Sequence, residues 1–133
     1  MYDIEKELAL YSFRKIEIED MKLKAEEIKL GDNFNEISYE EKVKTSKKQI
    51  ENDKDMNEIF RLEKKIKQYE IANKRVDNLL RILEDDEMEV VKIILIYKVS
   101  KTKAQMKINM TRRNINRKLD IAMDKLKEHI KME

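Results

Sequence analysis

The pattern of apolar and polar positions along the 133-residue chain predicts helices throughout. Residues 3–30 contain no helix breaker and many strong helix formers, which predicts a first helix. Its apolar positions form a broad face rather than a narrow seam, and this indicates contact on more than one side. Gly31, followed by Asp32 and Asn33, is the left-handed stop and turn that we expect to end this helix.

A second, longer helix is predicted from a capping box in which Ser38 is the N-cap and Glu41 the third helical residue. Residues 51–55 offer nothing to bury, so the helix is either solvent-exposed there or broken. Beyond them a coiled-coil-like heptad seam is formed by Ile59, Leu62, Ile66, Tyr69, Asn73, Val76, Leu80 and Leu83. We expect the seam to pack on the first helix, within one chain or between two. Asn73 either specifies the register or sits at a solvated edge.

A short apolar helix is predicted at residues 87–97. The segment Asp86–Glu89 repeats the capping pattern, and Val90–Tyr97 is apolar on nearly all sides. Its β-branched residues are also compatible with a buried strand, but no partner strand exists elsewhere and capped helices flank it. We therefore expect a helix that is buried on both sides.

The C-terminal part of the chain has the pattern of a helix-turn-helix. Ser100 or Thr102 caps a helix that runs to about Ile108, Asn109 takes the left-handed turn position, and Thr111 caps a second helix that continues towards Lys131. The apolar set that joins the two helices is Ala104, Ile108, Met110, Ile115, Leu119, Ala122 and Leu126. We expect Met88, Met106, Met110 and Met123 to fill the core. The predicted fold is all-α, with a helical arm at 1–84 that has a potential role in oligomerisation and a helix-turn-helix domain at 85–133.

Composition narrows the function classes. The chain has no cysteine and one histidine, so we expect no disulfide, no metal site and no cofactor. The longest apolar run without a charge is Ile93–Tyr97, far short of the ~20 residues that span a bilayer. The N-terminus lacks a signal-peptide pattern, so we expect a soluble cytoplasmic protein with no membrane partner. No catalytic arrangement is visible, and we expect no enzyme.

Charge is distributed unevenly along the chain. Residues 1–86 carry 18 basic and 22 acidic residues, whereas residues 87–133 carry 12 basic and 6 acidic ones. Residues 90–119 contain no acidic residue at all. A basic region on a helix-turn-helix pattern points to double-stranded DNA, because Arg reads guanine, Asn reads adenine, and Lys suits phosphates. The predicted DNA-binding residues are Lys98, Lys101, Lys103, Thr111, Arg112, Arg113, Asn114, Asn116, Arg117 and Lys118.

The residues of this region resemble the helix-turn-helix of sigma-factor region 4. The residues that carry the resemblance are Val99, Ser100, Ala104, Ile108, Asn109, Met110, Thr111, Ile115, Leu119 and Leu126. The layout of residues 56–131 resembles the RinA/ArpU-like phage transcriptional regulators. This resemblance implies sequence-specific DNA binding with the recognition helix in the major groove, control of phage or prophage genes, association with RNA polymerase, and a nucleoid location. The chain departs from the family pattern at Gln105, where Ala is usual, at Asn109, where Gly is usual, and at Lys107, a usually apolar position.

Two other interpretations remain open from the sequence. A packaging component that resembles a small terminase subunit would place a helix-turn-helix on an oligomerising helical hairpin. A helical protein-interaction module would use the basic helices to bind an acidic protein. Both alternatives keep the all-α fold, and the first shares with the leading interpretation the expectation of a homo-oligomer.

Overall fold

The computed structural model describes the backbone of residues 2–34 and 45–132, with the side chains of all these residues except 32–34 and 45–52. Within these ranges the chain forms five α-helices and one π-helical turn. The helices are α1 (Ile4–Phe34), α2 (Thr45–Leu80), α3 (Asp85–Val91), α4 (Lys101–Ile108) and α5 (Arg112–Met132), and the π-helical turn (Lys92–Ile96) follows α3. The all-α prediction is confirmed. Among the described helices, none combines the length and the apolar character needed to cross a membrane.

α1 continues through the residues at which we expected it to stop. Gly31 has no positive φ angle, and Asp32 and Asn33 stay in the helix, which ends at Phe34. A glycine inside a helix costs only about 1 kcal/mol relative to alanine, and a Cβ atom at Gly31 would meet nothing within 4 Å. The prediction of a left-handed stop at Gly31 is therefore wrong. The predicted capping box at Ser38 lies outside the described residues.

α2 is one continuous helix across residues 51–55. Asp53 and Lys54 are exposed, so this polar stretch is a solvent-facing part of an unbroken helix, and the alternative of a break is wrong. The helix ends at Leu80, whose carbonyl oxygen accepts a hydrogen bond of 3.1 Å from the N–H of Leu83. This i→i+3 bond tightens the chain just after the last turn.

The described residues group into two compact units. Unit 1 combines Met1–Arg14 with Ile71–Glu133, and unit 2 is Lys15–Glu70. The start of α1 therefore belongs to the same unit as the C-terminal helices. The division into residues 1–84 and 85–133 separates a predicted arm from a predicted DNA-binding domain, and it stays a prediction.

In unit 2 the heptad seam of α2 packs against α1 of the same chain. Met21 and Ala25 of α1 form a buried cluster with Leu62 and Ile66 of α2. Beside this cluster Lys29 and Glu63 form an ion pair of 3.9 Å. Removing these four apolar side chains from water supplies most of the stabilisation of this contact, since an exposed ion pair contributes little.

In unit 1 the rest of the seam packs on the start of α1, and α3 and α5 complete the core. The main buried cluster consists of Ile4, Leu8, Tyr11, Val76, Leu79, Leu80, Leu83, Val91, Ile96, Ala122 and Leu126. It joins residues from both ends of the chain. The predicted seam is thus filled within one chain.

Asn73, the polar residue of the seam, is buried and hydrogen-bonded. Its Nδ2 donates to the carbonyl oxygen of Tyr11 over 3.1 Å, and Nη1 of Arg14 donates to its Oδ1 over 3.4 Å. Next to it the hydroxyl of Tyr11 donates to Asp77 over 2.6 Å, and burial together with this bond raises the pKa of Tyr11. The interpretation of Asn73 as a solvated edge residue is wrong, and these specific bonds favour a role in setting the register of α1 on α2.

α3 begins earlier than predicted. Glu84 is the N-cap, with extended backbone angles, and its N–H donates to Oε1 of Glu87 over 2.9 Å. The capping pattern predicted at Asp86–Glu89 is therefore wrong by two residues. Glu84 and Glu87 have the same i,i+3 spacing as Asp86 and Glu89, so spacing alone does not choose between the two frames.

The β-branched run after α3 is helical, and the alternative of a buried strand is wrong. The N–H of Tyr97 donates to the carbonyl oxygen of Lys92 over 2.8 Å, the i→i+5 bond of a π-helical turn. Val90 belongs to a cluster with α4 and α5, whereas Val91 and Ile96 belong to the main core. The prediction of a helical segment buried on both sides is confirmed.

Candidate nucleic-acid interface

α4 and α5 are joined by a tight turn whose local chemistry matches the sequence prediction. Oγ of Ser100 accepts a 3.3 Å bond from the N–H of Lys103, so Ser100 rather than Thr102 caps α4. Asn109 is left-handed, with φ 50° and ψ 53°. Oγ1 of Thr111 accepts a 3.2 Å bond from the N–H of Asn114 at the start of α5. The predictions for both caps and for the left-handed residue are confirmed.

A buried apolar cluster holds α4 and α5 together and joins them to α3. Val90 of α3, Ala104 of α4 and Ile115 of α5 are all fully buried in it. The partly buried side chains that pack around them are Ile93, Ile94, Val99, Ile108, Met110 and Leu119. One face of α5 is thereby fixed against α3 and α4, which sets the direction of its other face.

Gln105 and Lys107, the two α4 residues that differ from the sigma-factor region 4 pattern, do not open this cluster. Ala104 takes the fully buried position, Gln105 is half-buried with its carbonyl oxygen accepting a 3.3 Å bond from the N–H of Met110, and Lys107 is exposed. Met106 is 85% exposed, so the prediction that it fills the core is wrong. Two residues correspond to about 200° around a helix, which turns Met106 away from the side that Ala104 buries.

The first two turns of α5 carry three exposed arginines. Arg112, Arg113 and Arg117 are all solvent-exposed, and within residues 2–34 and 45–132 none of them forms an ion pair. Arg113 and Arg117 each lie about 160° around the helix from Ile115. Because Ile115 is fully buried, both guanidinium groups are held on the outward face of α5. Asn114 lies in the same turn and is exposed.

Three lysines surround the start of α4. Lys98 and Lys103 are exposed, and Lys101 is half-buried. Lys98 lies in the connection before α4 and has a positive φ of 54°. The next residue, Val99, anchors this connection, since its N–H donates to the carbonyl oxygen of Ile93 over 2.9 Å. The start of a helix also presents unpaired backbone N–H groups, which attract anions.

Two lysines of α5 form ion pairs with acidic residues of α3. Lys118 forms an ion pair with Asp86, and Nζ of Lys125 bonds both carboxylate oxygens of the buried Glu87 at 2.8 and 2.9 Å. The bond from Lys118 lowers the pKa of Asp86, and the bond from Lys125 lowers the pKa of Glu87. Lys118 and Lys125 are seven residues apart and lie on the same side of α5. These pairs connect α5 to α3, a role that the sequence does not indicate for either lysine.

The ten predicted DNA-binding residues therefore divide by exposure. The exposed residues are Lys98, Lys103, Thr111, Arg112, Arg113, Asn114 and Arg117, and the half-buried ones are Lys101, Asn116 and Lys118. Oδ1 of Asn116 is buried and has no hydrogen-bond partner among the described residues. The hydroxyl of Thr111 is engaged in capping α5. Contact of each of the ten with DNA stays a prediction, and the exposed arginines fit it best.

The site contains no arrangement suited to a metal: among the described residues, no three His, Cys, Asp or Glu side chains are grouped to hold one. A scan against protein-family models, a search of curated proteins and a search of solved structures each found no match to this chain.

Proposed function

We propose that this protein is a sequence-specific DNA-binding transcriptional regulator of phage or prophage type. The observation that carries the proposal is the group of exposed arginines Arg112, Arg113 and Arg117, which form no ion pair with any described residue and lie at the start of a long helix that has one face buried. An α-helix fits the major groove of B-DNA, and the N-terminal residues of a recognition helix contact the base edges. In this arrangement the first two turns of α5 enter the groove.

Each exposed group has a chemistry suited to one part of the duplex. A guanidinium bonds O6 and N7 of guanine with two parallel hydrogen bonds, and an exposed amide such as that of Asn114 pairs with adenine in the same way. Lys98, Lys101 and Lys103 at the start of α4 suit phosphates, which position a protein without reading sequence. The ammonium group of Lys118 already pairs with Asp86 of α3. Lys118 therefore contributes by holding α5 on α3.

The lack of acidic residues in this part of the chain supports the same proposal. Residues 90–119 contain nine basic residues and no acidic one, so phosphates approach without repulsion from a carboxylate of that segment. The phage setting, an association with RNA polymerase and a nucleoid location rest on the resemblance to sigma-factor region 4 and to the RinA/ArpU-like regulators. We also propose that the regulator is a homo-oligomer, as expected from the sequence.

The test is a comparison of two triple variants with equal charge changes. One variant carries Arg112→Gln, Arg113→Gln and Arg117→Gln. The control variant carries Lys22→Gln, Lys54→Gln and Lys74→Gln, which change exposed bases outside residues 90–119. Fluorescence anisotropy with a labelled 30-base-pair duplex measures the affinity, and circular dichroism checks that both variants stay helical.

We expect the arginine variant to lose duplex binding and the control to keep it within a few-fold. Binding by the wild type should weaken steeply with salt, because each phosphate contact contributes about −0.9 to the log–log slope. Equal losses in the two triple variants would show a non-specific charge effect and contradict the proposal, as would wild-type binding that does not respond to salt.

A further inference from the structure

Unit 1 contains a cavity between α2, α5 and the segment that precedes α1, and we call it the α2–α5 cavity. Its volume is about 410 Å³, which lies within the range of roughly 300–1,000 Å³ that small-molecule sites occupy. Its lining residues are Tyr2, Arg75, Asn78, Leu79, His129 and Ile130. They come from three segments that are distant in the chain and lie together in unit 1. The cavity is therefore a product of the fold and not of one helix.

The apolar part of the lining is continuous with the main core. Leu79 is only 8% exposed and belongs to the main buried cluster. Tyr2 and Ile130 are partly buried and pack against the same cluster. An apolar group that enters the cavity therefore leaves water for a surface whose side chains are already held in place.

The polar part of the lining carries hydrogen-bond donors. Arg75 is exposed and forms no ion pair with a described residue. Asn78 lies one turn further along α2 on the same side and carries a side-chain amide. His129 has an imidazole N–H in either protonation state. A guanidinium beside an amide and an imidazole suits a carboxylate or a phosphate, whose oxygen atoms accept parallel hydrogen bonds from arginine.

No acidic residue lines this cavity, and the acidic neighbours of its lining residues lie on other sides of their helices. Asp77 is about 160° around α2 from Arg75, and its carboxylate accepts the hydrogen bond from Tyr11. Glu128 is exposed and lies about 160° around α5 from Ile130. An anion in the cavity therefore meets positive charge without a carboxylate from these neighbours.

A neighbouring cavity of about 520 Å³ shares Tyr2 and Ile130 with the first one and differs from it in charge. Its charged lining residues are Asp3, Glu5, Lys127 and Lys131. Glu5 pairs with Lys127 at 3.0 Å, so opposite charges in this second cavity already compensate one another. Of the two cavities, the α2–α5 cavity combines an apolar wall with cationic donors and has no carboxylate in its lining.

We propose that the α2–α5 cavity binds a small organic anion. The carboxylate or phosphate of the ligand bonds Arg75 and Asn78, and its apolar body packs on Leu79 and Ile130. Such a ligand contacts α2 and α5 at once, and α5 is also the helix whose first two turns carry the exposed arginines. The inference does not depend on the proposed DNA binding.

The single histidine of the chain gives a direct readout of this cavity. Because His129 lines it, the imidazole Cε1–H signal in the proton NMR spectrum of the untagged full-length chain reports on a bound ligand. Benzoate and phenyl phosphate are the test ligands, benzyl alcohol is the neutral analogue, and inorganic phosphate is an anion without an apolar body. Each compound is titrated at fixed pH and ionic strength.

We expect benzoate, phenyl phosphate or both to shift the His129 signal until it saturates, with a dissociation constant of about 1 mM for ligands of this size. Saturation by benzoate alone would assign a carboxylate ligand, saturation by phenyl phosphate alone a phosphate ester, and saturation by both a site that recognises either anion. Benzyl alcohol and inorganic phosphate should bind at least about tenfold more weakly. A shift that saturates with neither test ligand overturns the proposal, as does equal binding of benzyl alcohol or inorganic phosphate.

Three variants show whether the ligand lies in this cavity. Arg75→Gln removes the guanidinium, and Asn78→Asp places a carboxylate in the lining with little change of shape. Lys74→Gln is the matched control, because it removes a positive charge next to Arg75 at a position that does not line the cavity. All three positions are exposed, so we expect circular dichroism to show unchanged helicity.

We expect Arg75→Gln and Asn78→Asp each to weaken binding of the organic anion at least about tenfold, since one removes a charge-assisted contact and the other adds repulsion. Lys74→Gln should retain the wild-type affinity within about twofold, because ions screen an exposed charge that does not touch the ligand. Unchanged affinity in Arg75→Gln would overturn the proposal. Equal losses in Arg75→Gln and Lys74→Gln would also overturn it, because they would indicate general charge attraction in place of a site.

Discussion

Replacing Ile115 by alanine tests whether α5 is held by the buried cluster beneath it. Ile115 has no exposed surface, and it packs with Val90 of α3 and Ala104 of α4. Ile121 lies on the same helix and is 40% exposed. The same substitution at Ile121 is therefore a matched control, because both variants gain the same helix propensity and lose the same atoms.

The expected costs differ because of burial. An Ile→Ala change removes three carbon atoms, which accounts for about 2.5 kcal/mol of transfer free energy at a fully buried position. The cavity left among rigid neighbours raises the total to about 3–4 kcal/mol for Ile115→Ala. Ile121→Ala opens no closed cavity and removes partly hydrated atoms, so we expect about 1 kcal/mol.

Urea unfolding followed by circular dichroism at 222 nm measures both free energies of unfolding. The predicted difference between the two variants is about 2 kcal/mol or more, with Ile115→Ala the less stable. If the two substitutions cost the same within about 0.5 kcal/mol, the buried contact of α5 with α3 and α4 would not be what holds the helix.

Substitutions at three further positions test particular contacts. Asn109→Ala should lower the free energy of unfolding by about 1 kcal/mol, because a Cβ without a local polar group disfavours the left-handed region. Asn109→Gly should leave the free energy of unfolding nearly unchanged. Thermal unfolding of both variants checks these expectations. Asn73→Ala should cost about 1–3 kcal/mol in urea unfolding, since it removes the buried bonds to Tyr11 and Arg14. Lys125 lowers the pKa of Glu87 below its usual 4.5, so the ion pair stabilises the fold above that pH and this contribution is lost as the pH falls through the folded-state pKa. Urea titrations from pH 7 to pH 3 should therefore show a shallower acid-induced loss of stability in Glu87→Gln than in the wild type, and equal losses would contradict the bond.

The local chemistry at the turn between α4 and α5 was predicted well from the sequence. Ser100, Asn109 and Thr111 act on residues within four positions of themselves, and their caps and turn are found where the residue types place them. The heptad seam was also visible, because its periodicity is a property of one helix. The prediction of a helix stop at Gly31 was wrong because glycine permits such a stop without enforcing it.

The polar contacts that join α5 to α3 were not predicted. Lys118 has an ammonium group that suits a phosphate. Only the packing of α5 on α3 shows that this group bonds to Asp86, 32 residues earlier. Asn116 looks equally available in the sequence, yet its Oδ1 is buried. The residue types were enough to predict that the region is basic. The side of α5 on which each residue lies could be assigned only once the structure showed which positions of α5 are buried.

The most direct test of the proposed function is selection of bound sequences from a library of random duplexes by the wild-type chain. Sequence-specific recognition through α5 predicts that one motif is enriched over successive rounds, and that the variant carrying Arg112→Gln, Arg113→Gln and Arg117→Gln no longer enriches it. Retention of duplexes without any enriched motif, or no retention of duplex at moderate salt, would contradict sequence-specific DNA binding.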